Sequence, residues 1–108
     1  MANSQSTIDF IMDQLSGMGG VVAKNMFGGT GFFKNDVMFG MLGSDVFRLR
    51  VSEESKSRYE EAGMTPFYSG KMKKGMPYWE VPADVLEDAG KLIIWASEAF
   101  DIAVKAKK

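Results

Sequence analysis

Apolar residues in the first part of the chain recur every three or four positions. They are Ile8, Ile11, Met12, Leu15 and Met18. This spacing places the apolar side chains on one face of a helix. Ser6 is a residue type that caps helix starts, and Gly17 with the Gly19-Gly20 pair ends the pattern. We therefore predict a helix over residues 6–17.

Between Asn25 and Val51 the pattern changes to short apolar runs separated by turn residues, which is typical of consecutive antiparallel strands. The predicted strands lie at residues 21–27, around 32–33, at 37–42 and at 46–51. The segment Gly28-Gly29-Thr30-Gly31 is expected to break the first strand. Asn35-Asp36 is a two-residue signal for a β-hairpin turn.

The third predicted strand is apolar on both faces. Strict alternation places Val37, Phe39 and Met41 on one face. It places Met38, Gly40 and Leu42 on the other face. Such a strand is either covered on both faces or belongs to a sheet that meets another subunit.

The second half of the chain predicts further helices around one or two short strands. Ser52 is a helix cap, and Gly63 ends the helix that follows it. Short strands are predicted at residues 67–68 and 78–81, with a basic, glycine-flanked loop at residues 69–75 between them.

The order of these elements indicates the fold class. Asp88 caps a long C-terminal helix, so the order is helix, four strands, helix, one or two strands, helix. This order favours an α+β fold in which helices pack on an antiparallel sheet. The 108 residues form a single domain, 1–108, and we expect residues 1–5 and 105–108 to be disordered.

Composition narrows the chemistry that the chain can perform. The sequence contains no Cys and no His, which excludes thiolate nucleophiles, imidazole bases and nearly every zinc or haem site. An enzyme would need carboxylates with a hard metal such as magnesium, for which the acidic pairs Glu53-Glu54, Glu60-Glu61 and Glu87-Asp88 are candidates. Adjacent residues on a helix do not converge on one point, so solvated helix ends explain these pairs better. We expect no catalytic residue, no cofactor and no metal.

The apolar runs are about half the ~20 residues that a membrane span requires, and the N-terminus lacks the features of a signal peptide. We therefore expect a cytoplasmic protein with no membrane contact. The net charge is −1 and the isoelectric point is about 5.4. Domains that bind nucleic acid usually carry a clear basic excess, so this balance disfavours that role without excluding a local basic patch.

One basic region is the candidate for nucleic-acid contact. The loop contains Lys71, Lys73 and Lys74, and aromatic residues stand close to it in sequence. The fourth strand alternates, which turns Arg48 and Arg50 toward solvent, where they and Lys34 would extend the basic surface. The alternative is a solvated loop whose aromatic residues lie under the sheet.

Four segments, in this order, resemble the N-terminal domain of the TfoX/Sxy family. They are Lys24-Asn25-Met26-Phe27-Gly28-Gly29, Val37-Met38-Phe39-Gly40, Phe47-Arg48-Leu49-Arg50-Val51 and Tyr78-Trp79-Glu80-Val81-Pro82. The resemblance covers nearly the whole chain. It implies a two-layer α/β domain similar to that of type III secretion chaperones, often dimeric and without catalytic residues. It also implies a link to the regulation of competence (DNA transformation) genes, together with a transcription activator.

The leading hypothesis is a non-enzymatic regulatory or protein-interaction domain that forms a homodimer through an apolar sheet or helix surface. A transcription activator or another regulatory protein is the further expected partner. The alternative is a nucleic-acid-binding domain that uses the loop at residues 71–74. A carboxylate- and magnesium-dependent enzyme is a more remote alternative.

Overall fold

The computed structural model describes residues 5–26, 29–43, 46–64, 66–67 and 76–107. These residues form a six-stranded sheet in which every strand pair is antiparallel. The strands are β1 Val21–Met26, β2 Gly29–Lys34, β3 Val37–Gly43, β4 Val46–Arg50, β5 Pro66–Phe67 and β6 Met76–Glu80. Their order in the sheet is β1-β2-β3-β4-β6-β5.

The helices are α1 Gln5–Gln14, α2 Lys56–Glu61, α3 Ala83–Leu86 and α4 Ala89–Lys107, and a 3₁₀ turn at Ser16–Met18 follows α1. All four α-helices contribute buried side chains to a single apolar core, together with residues from one face of the sheet. The predicted α+β, two-layer architecture is therefore confirmed. Within the described residues no helix is both long and apolar enough to cross a bilayer.

The hairpin predicted at Asn35-Asp36 is present. Lys34 pairs with Val37, and Asn35 and Asp36 have φ values of 51° and 63°. Two successive residues with positive φ form the type I′ turn that matches the twist of a two-residue hairpin. Asn and Asp adopt this backbone region more readily than most residues, which explains why they occupy the turn.

The first strand ends at Met26, before the glycine segment as predicted, but residues 29–31 of that segment begin the second strand. Met26 pairs with Gly29, and Gly29–Gly31 belong to β2. Gly31 is buried and pairs with Lys24 on one side and Met41 on the other. Residues 27 and 28 lie outside the described part of the chain.

The alternation predicted for the third strand is wrong, because β3 contains a bulge. Phe32 pairs with Gly40 but Phe33 pairs with Met38, which leaves Phe39 as an extra residue. Phe39 is fully buried and its ring meets that of Phe100 in α4 edge to face, with centroids 6.4 Å apart. The bulge therefore turns Phe39 inward together with the Gly40 position.

Beyond the bulge, Gly40 and Leu42 face the helices. Leu42 is fully buried in the core. A Cβ atom added to Gly40 would lie 3.2 Å from core side-chain atoms of both Phe47 and Leu49. Met38 and Met41 consequently share the opposite face, which a strict period of two does not predict.

The helix start predicted at Asp88 is confirmed, whereas the helix predicted from Ser52 begins at Lys56. The backbone N–H of Lys91 donates to Asp88 Oδ1 at 3.1 Å, as an N-cap requires. Ser52 and Ser55 exchange bonds, each backbone N–H donating to the other's hydroxyl, at 2.9 and 3.1 Å. This reciprocal pattern is that of a capping box, one turn before the regular part of α2.

Two predicted helix ends differ from the structure. Helix α1 stops at Gln14, and the chain tightens into the 3₁₀ turn where a longer helix was predicted. The sequence predicts disorder at residues 105–108, whereas α4 includes residues 105–107. The buried side chain of Ala103 anchors this last part of α4, and Ala and Lys favour helix.

Candidate protein-interaction surface

The face of the sheet opposite the helices carries the candidate site, and we call it the outer face. Its residues alternate along the strands with the buried residues of the core. They are Val22, Lys24, Phe33, Met38, Met41, Arg48, Arg50, Tyr78 and Glu80. Aromatic, methionine and cationic side chains therefore share this face across five neighbouring strands of the sheet.

Arg48 lies in the middle of the outer face and stands opposite a carboxylate. In the strand ladder it pairs with Met41 on one side and with Glu80 on the other. Burial lowers the pKa of Arg48, and the charge of Glu80 opposes that shift. The negative charge of Glu80 thus offsets part of the cost of burying the Arg48 charge.

Arg50 lies two residues further along the same face and stands opposite Tyr78. The guanidinium carbon lies 5.7 Å from the centre of the Tyr78 ring, within the range of a cation–π contact. Nε of Arg50 is buried, and it has no hydrogen-bond partner among the described residues. The ring thus positions the Arg50 guanidinium at this end of the outer face.

Beside Arg50, the end of the sheet and the last turns of α4 enclose an open cleft of about 360 Å³. Among the described residues, Arg50 and Asp36 are the charged members of its wall. The remainder of the lining is apolar or aromatic: Phe33, Val37, Met38, Tyr78, Ala103 and Ala106. A mostly apolar cleft with few charged groups is a common form of binding site.

The outer face is more basic than the chain as a whole. Among the described residues of this face, three cations, Lys24, Arg48 and Arg50, accompany one carboxylate, that of Glu80, although the chain carries −1 overall. Nζ of Lys24 lies 5.2 Å from the centre of the Phe33 ring. Charge is therefore segregated in the fold, and this segregation is invisible in the composition.

The structure brings together only part of the predicted basic surface. Arg48 and Arg50 share the outer face as predicted, but both are half-buried and not fully solvated. Lys34 does not join them: its Nζ donates to the carbonyl of Met18 at 3.2 Å and lies 5.4 Å from the Phe100 ring centre, on the helix side. Lys71, Lys73 and Lys74 lie outside the described residues.

Sequence reasoning did not group Lys24 and Phe33 with the two arginines. The signal that would have found them is the ladder itself, because residues paired across antiparallel strands share a face. Using that signal requires the register between β1 and β2. Sequence reasoning excluded the glycine segment from the strands and so did not obtain this register. Because the bulge in β3 was not predicted, sequence reasoning also placed Met38 and Met41 on opposite faces of the strand.

The acidic pairs do not converge. Among the described residues, no three acidic side chains lie close enough together to hold a metal ion. Glu53 pairs with Lys56 at 3.0 Å, and Asp88 caps α4. Glu60 and Glu61 are exposed at the end of α2. Each pair thus has a local role in its helix or faces solvent.

A second polar cluster, on the helix side, connects α2 to α4. Arg58 donates two hydrogen bonds to the carboxylate of Glu98, at 2.9 and 2.8 Å, and its guanidinium lies 5.1 Å from the Trp95 ring centre. The bond to Glu98 raises the pKa of Arg58. Next to this pair the hydroxyl of Tyr59 is buried without a partner in the described structure, and its burial raises the pKa of Tyr59.

Comparison with known proteins agrees with this architecture. The model of the TfoX N-terminal domain family matches residues 13–103 of the 108-residue chain. A search of curated proteins gives no significant match. Because the family match spans most of the chain, the protein belongs to the TfoX N-terminal domain family.

Proposed function

We propose that this chain is a non-enzymatic regulatory domain that acts by binding another protein in the TfoX-type control of competence genes. The observation that carries the proposal is the outer face, where Phe33, Met38 and Met41 lie among cations on the side of the sheet opposite the helical core. Methionine side chains adapt to varied partners, and Arg and Tyr dominate the binding energy of many interfaces.

Protein binding fits this face better than nucleic-acid binding does. A surface that stacks bases needs free aromatic faces. Tyr78 is only 5% exposed and Arg50 lies over its ring, while Lys24 lies over the ring of Phe33. Arg48 stands opposite Glu80, and the negative charge of Glu80 reduces the attraction of this part of the face for phosphates. Direct nucleic-acid binding through the outer face and the lysines at residues 71–74 is therefore the second candidate.

We also propose that the chain forms a homodimer and that the dimer interface lies on the helix side. A symmetric dimer places the same patch of both copies in contact. If the two copies met through the outer face, this symmetry would bring the cations of one copy close to the cations of the other. Ile94 of α4 is 69% exposed, the largest exposure of any large apolar side chain in the described residues. We place the dimer contact around Ile94, which leaves the outer face open to a regulatory partner such as a transcription activator.

A genetic experiment tests the function. Transcripts of DNA-uptake genes are measured in the source organism with the chain deleted, restored, or restored as Met41→Glu on the outer face. Ala89→Glu, which adds the same side chain at an exposed position of α4, is the matched control. We expect deletion and Met41→Glu to lower these transcripts and Ala89→Glu to restore them. Unchanged transcripts after deletion would contradict the proposal. A regulator of transcription works where its genes are transcribed, so the proposed function includes a cytoplasmic location.

A further inference from the structure

Arg50 differs from the other two arginines of the chain. Arg58 is held by Glu98 through two hydrogen bonds, and Arg48 stands opposite Glu80. Arg50 has an aromatic ring in that position, and its guanidinium carbon lies 5.7 Å from the centre of that ring. A carboxylate on the Arg50 guanidinium would form charge-assisted hydrogen bonds, which are stronger than hydrogen bonds between neutral groups.

We propose that Arg50 and the adjoining cleft bind an acidic segment of a partner protein, with one carboxylate on the Arg50 guanidinium and an adjacent apolar side chain in the cleft. The inference rests on the proposed function, since it names the chemistry of the partner that the outer face binds. A carboxylate matches the planar fork of a guanidinium and accepts two parallel hydrogen bonds from it.

The cleft explains why the ligand also has an apolar part. Its volume of about 360 Å³ is large for a single carboxylate, and the described residues of its wall other than Arg50 and Asp36 are apolar or aromatic. Phe33 and Met38 supply that wall from the sheet, and Ala103 supplies it from α4. Removing such surface from water contributes about 25 cal/mol per Å², so an apolar side chain beside the carboxylate adds to binding.

The distribution of charge selects an acidic protein segment over a second copy or a nucleic acid. Like charges across an interface are unfavourable, and a symmetric contact through this face would place Arg50 and Lys24 near their own copies. A nucleic acid would bring a dense row of phosphates to a cleft that also contains Asp36. A single carboxylate reaches Arg50 without placing further negative charge beside Asp36.

The test measures peptide binding to the full chain by fluorescence anisotropy, at about 0.15 M ionic strength to limit long-range attraction. The probe is a fluorescein-labelled peptide of repeated Glu-Leu-Asp-Phe units. A control peptide has Gln and Asn in place of the acids, and a labelled single-stranded oligonucleotide is the third probe. We expect the acidic peptide to bind and the other two probes to bind at least about tenfold more weakly.

Variants locate the contact. We expect Arg50→Gln to weaken binding of the acidic peptide at least about tenfold and the matched variant Arg48→Gln to weaken it less than about threefold. Arg50→Lys keeps the positive charge but lacks the planar, forked set of donors of a guanidinium, so it should retain only part of the affinity for the acidic peptide. Asp36→Asn removes the repulsive charge from the cleft wall and should strengthen binding. Thermal unfolding of each variant establishes that it is folded.

Equal weakening by Arg48→Gln and Arg50→Gln, or tighter binding of the oligonucleotide than of the acidic peptide, would overturn the inference. Failure to bind the acidic peptide would overturn it as well. In each of these cases the transcript experiment on the deletion strain still stands on its own. If the protein regulates the uptake genes but does not bind the acidic peptide through Arg50, the proposed function would stand and this inference would be wrong.

Discussion

Arg48 and Arg50 point to the same face of β4, but only Arg48 stands opposite a carboxylate across the strand ladder. Two residues of one type, two positions apart, therefore have different roles. Arg48 is paired within the sheet, whereas Arg50 is held by the ring of Tyr78 at the rim of the cleft. The account of this protein as an interaction domain depends on that difference.

The bulge in β3 leads to a prediction about Gly40. A Cβ at this position would lie 3.2 Å from the carbonyl oxygen of Arg48, from Leu49 Cδ2 and from Phe47 Cε1. We expect Gly40→Ala to lower the free energy of unfolding by about 1–3 kcal/mol, because the backbone atom cannot move aside cheaply. The measurement is urea-induced unfolding.

Gly43, near the other end of β3, is the matched control. An added Cβ there meets no atom within 4 Å. We expect Gly43→Ala to change the free energy of unfolding by less than about 0.5 kcal/mol. If the two variants lost equal stability, the close packing that we assign to Gly40 would be wrong.

The buried hydroxyl of Tyr59 gives a pH-dependent prediction. Burial raises its pKa, so in the folded state the hydroxyl keeps its proton at a pH where an unfolded tyrosine, with a pKa near 10, loses it. The unfolded state then binds fewer protons, and stability falls as the pH rises above about 10. Phenylalanine has no hydroxyl to titrate, so the stability of Tyr59→Phe should not show this fall at high pH.

We expect Tyr59→Phe to be about 1 kcal/mol more stable than the wild type near neutral pH, because it removes an unpaired buried hydroxyl. The advantage should grow between pH 8 and about pH 10.5. Denaturant unfolding of both proteins at the two pH values measures it, and lysine titration cancels in the comparison. An advantage that stayed constant over this range would contradict the raised pKa.

The β2–β3 turn gives a prediction about backbone strain. Asp36 has φ 63°, a region that glycine adopts freely and alanine does not. We expect Asp36→Gly to match or exceed the wild type in stability and Asp36→Ala to be about 1 kcal/mol less stable than Asp36→Gly. Thermal unfolding of the pair measures the difference. Similar melting temperatures for the two variants would show that this turn is not of type I′.

The helix-side dimer predicts an effect of mutation at Ile94. Sedimentation velocity at tens of micromolar should show a dimer for the wild type and a monomer for Ile94→Glu, because a charge replaces an apolar side chain in the contact. Ala89→Glu adds the same side chain at another exposed position of α4 and should remain a dimer. A monomeric wild type would remove the dimer from the account, and a dimeric Ile94→Glu would move its interface elsewhere.

The sequence predicted much of the fold because the relevant signals are local. Helical spacing, the cap at Asp88 and the turn at Asn35-Asp36 each depend on neighbouring residues, and the structure contains all three. The bulge at Phe39 was missed because it depends on the pairing of β2 with β3. A period of two carries no information about where that pairing shifts.

The candidate site was less predictable than the fold. Arg48 and Arg50 could be placed on one face from alternation alone. What distinguishes them is the residue across the ladder, Glu80 in one case and Tyr78 in the other, and both lie 28 or more residues away in sequence. The cleft depends on the end of α4 meeting the β2–β3 turn, a contact that no local pattern specifies.

The measurement that tests the outer face most directly is NMR of isotope-labelled methionine methyl groups during titration with the acidic peptide. Met38 and Met41 lie on the outer face, while Met12 and Met64 pack against the core on the helix side. We predict that the signals of Met38 and Met41 shift as peptide is added, with the larger shift at Met38 beside the cleft, and that those of Met12 and Met64 do not. Shifts at Met12 or Met64 without shifts at Met38 would place binding on the helix side and contradict the account.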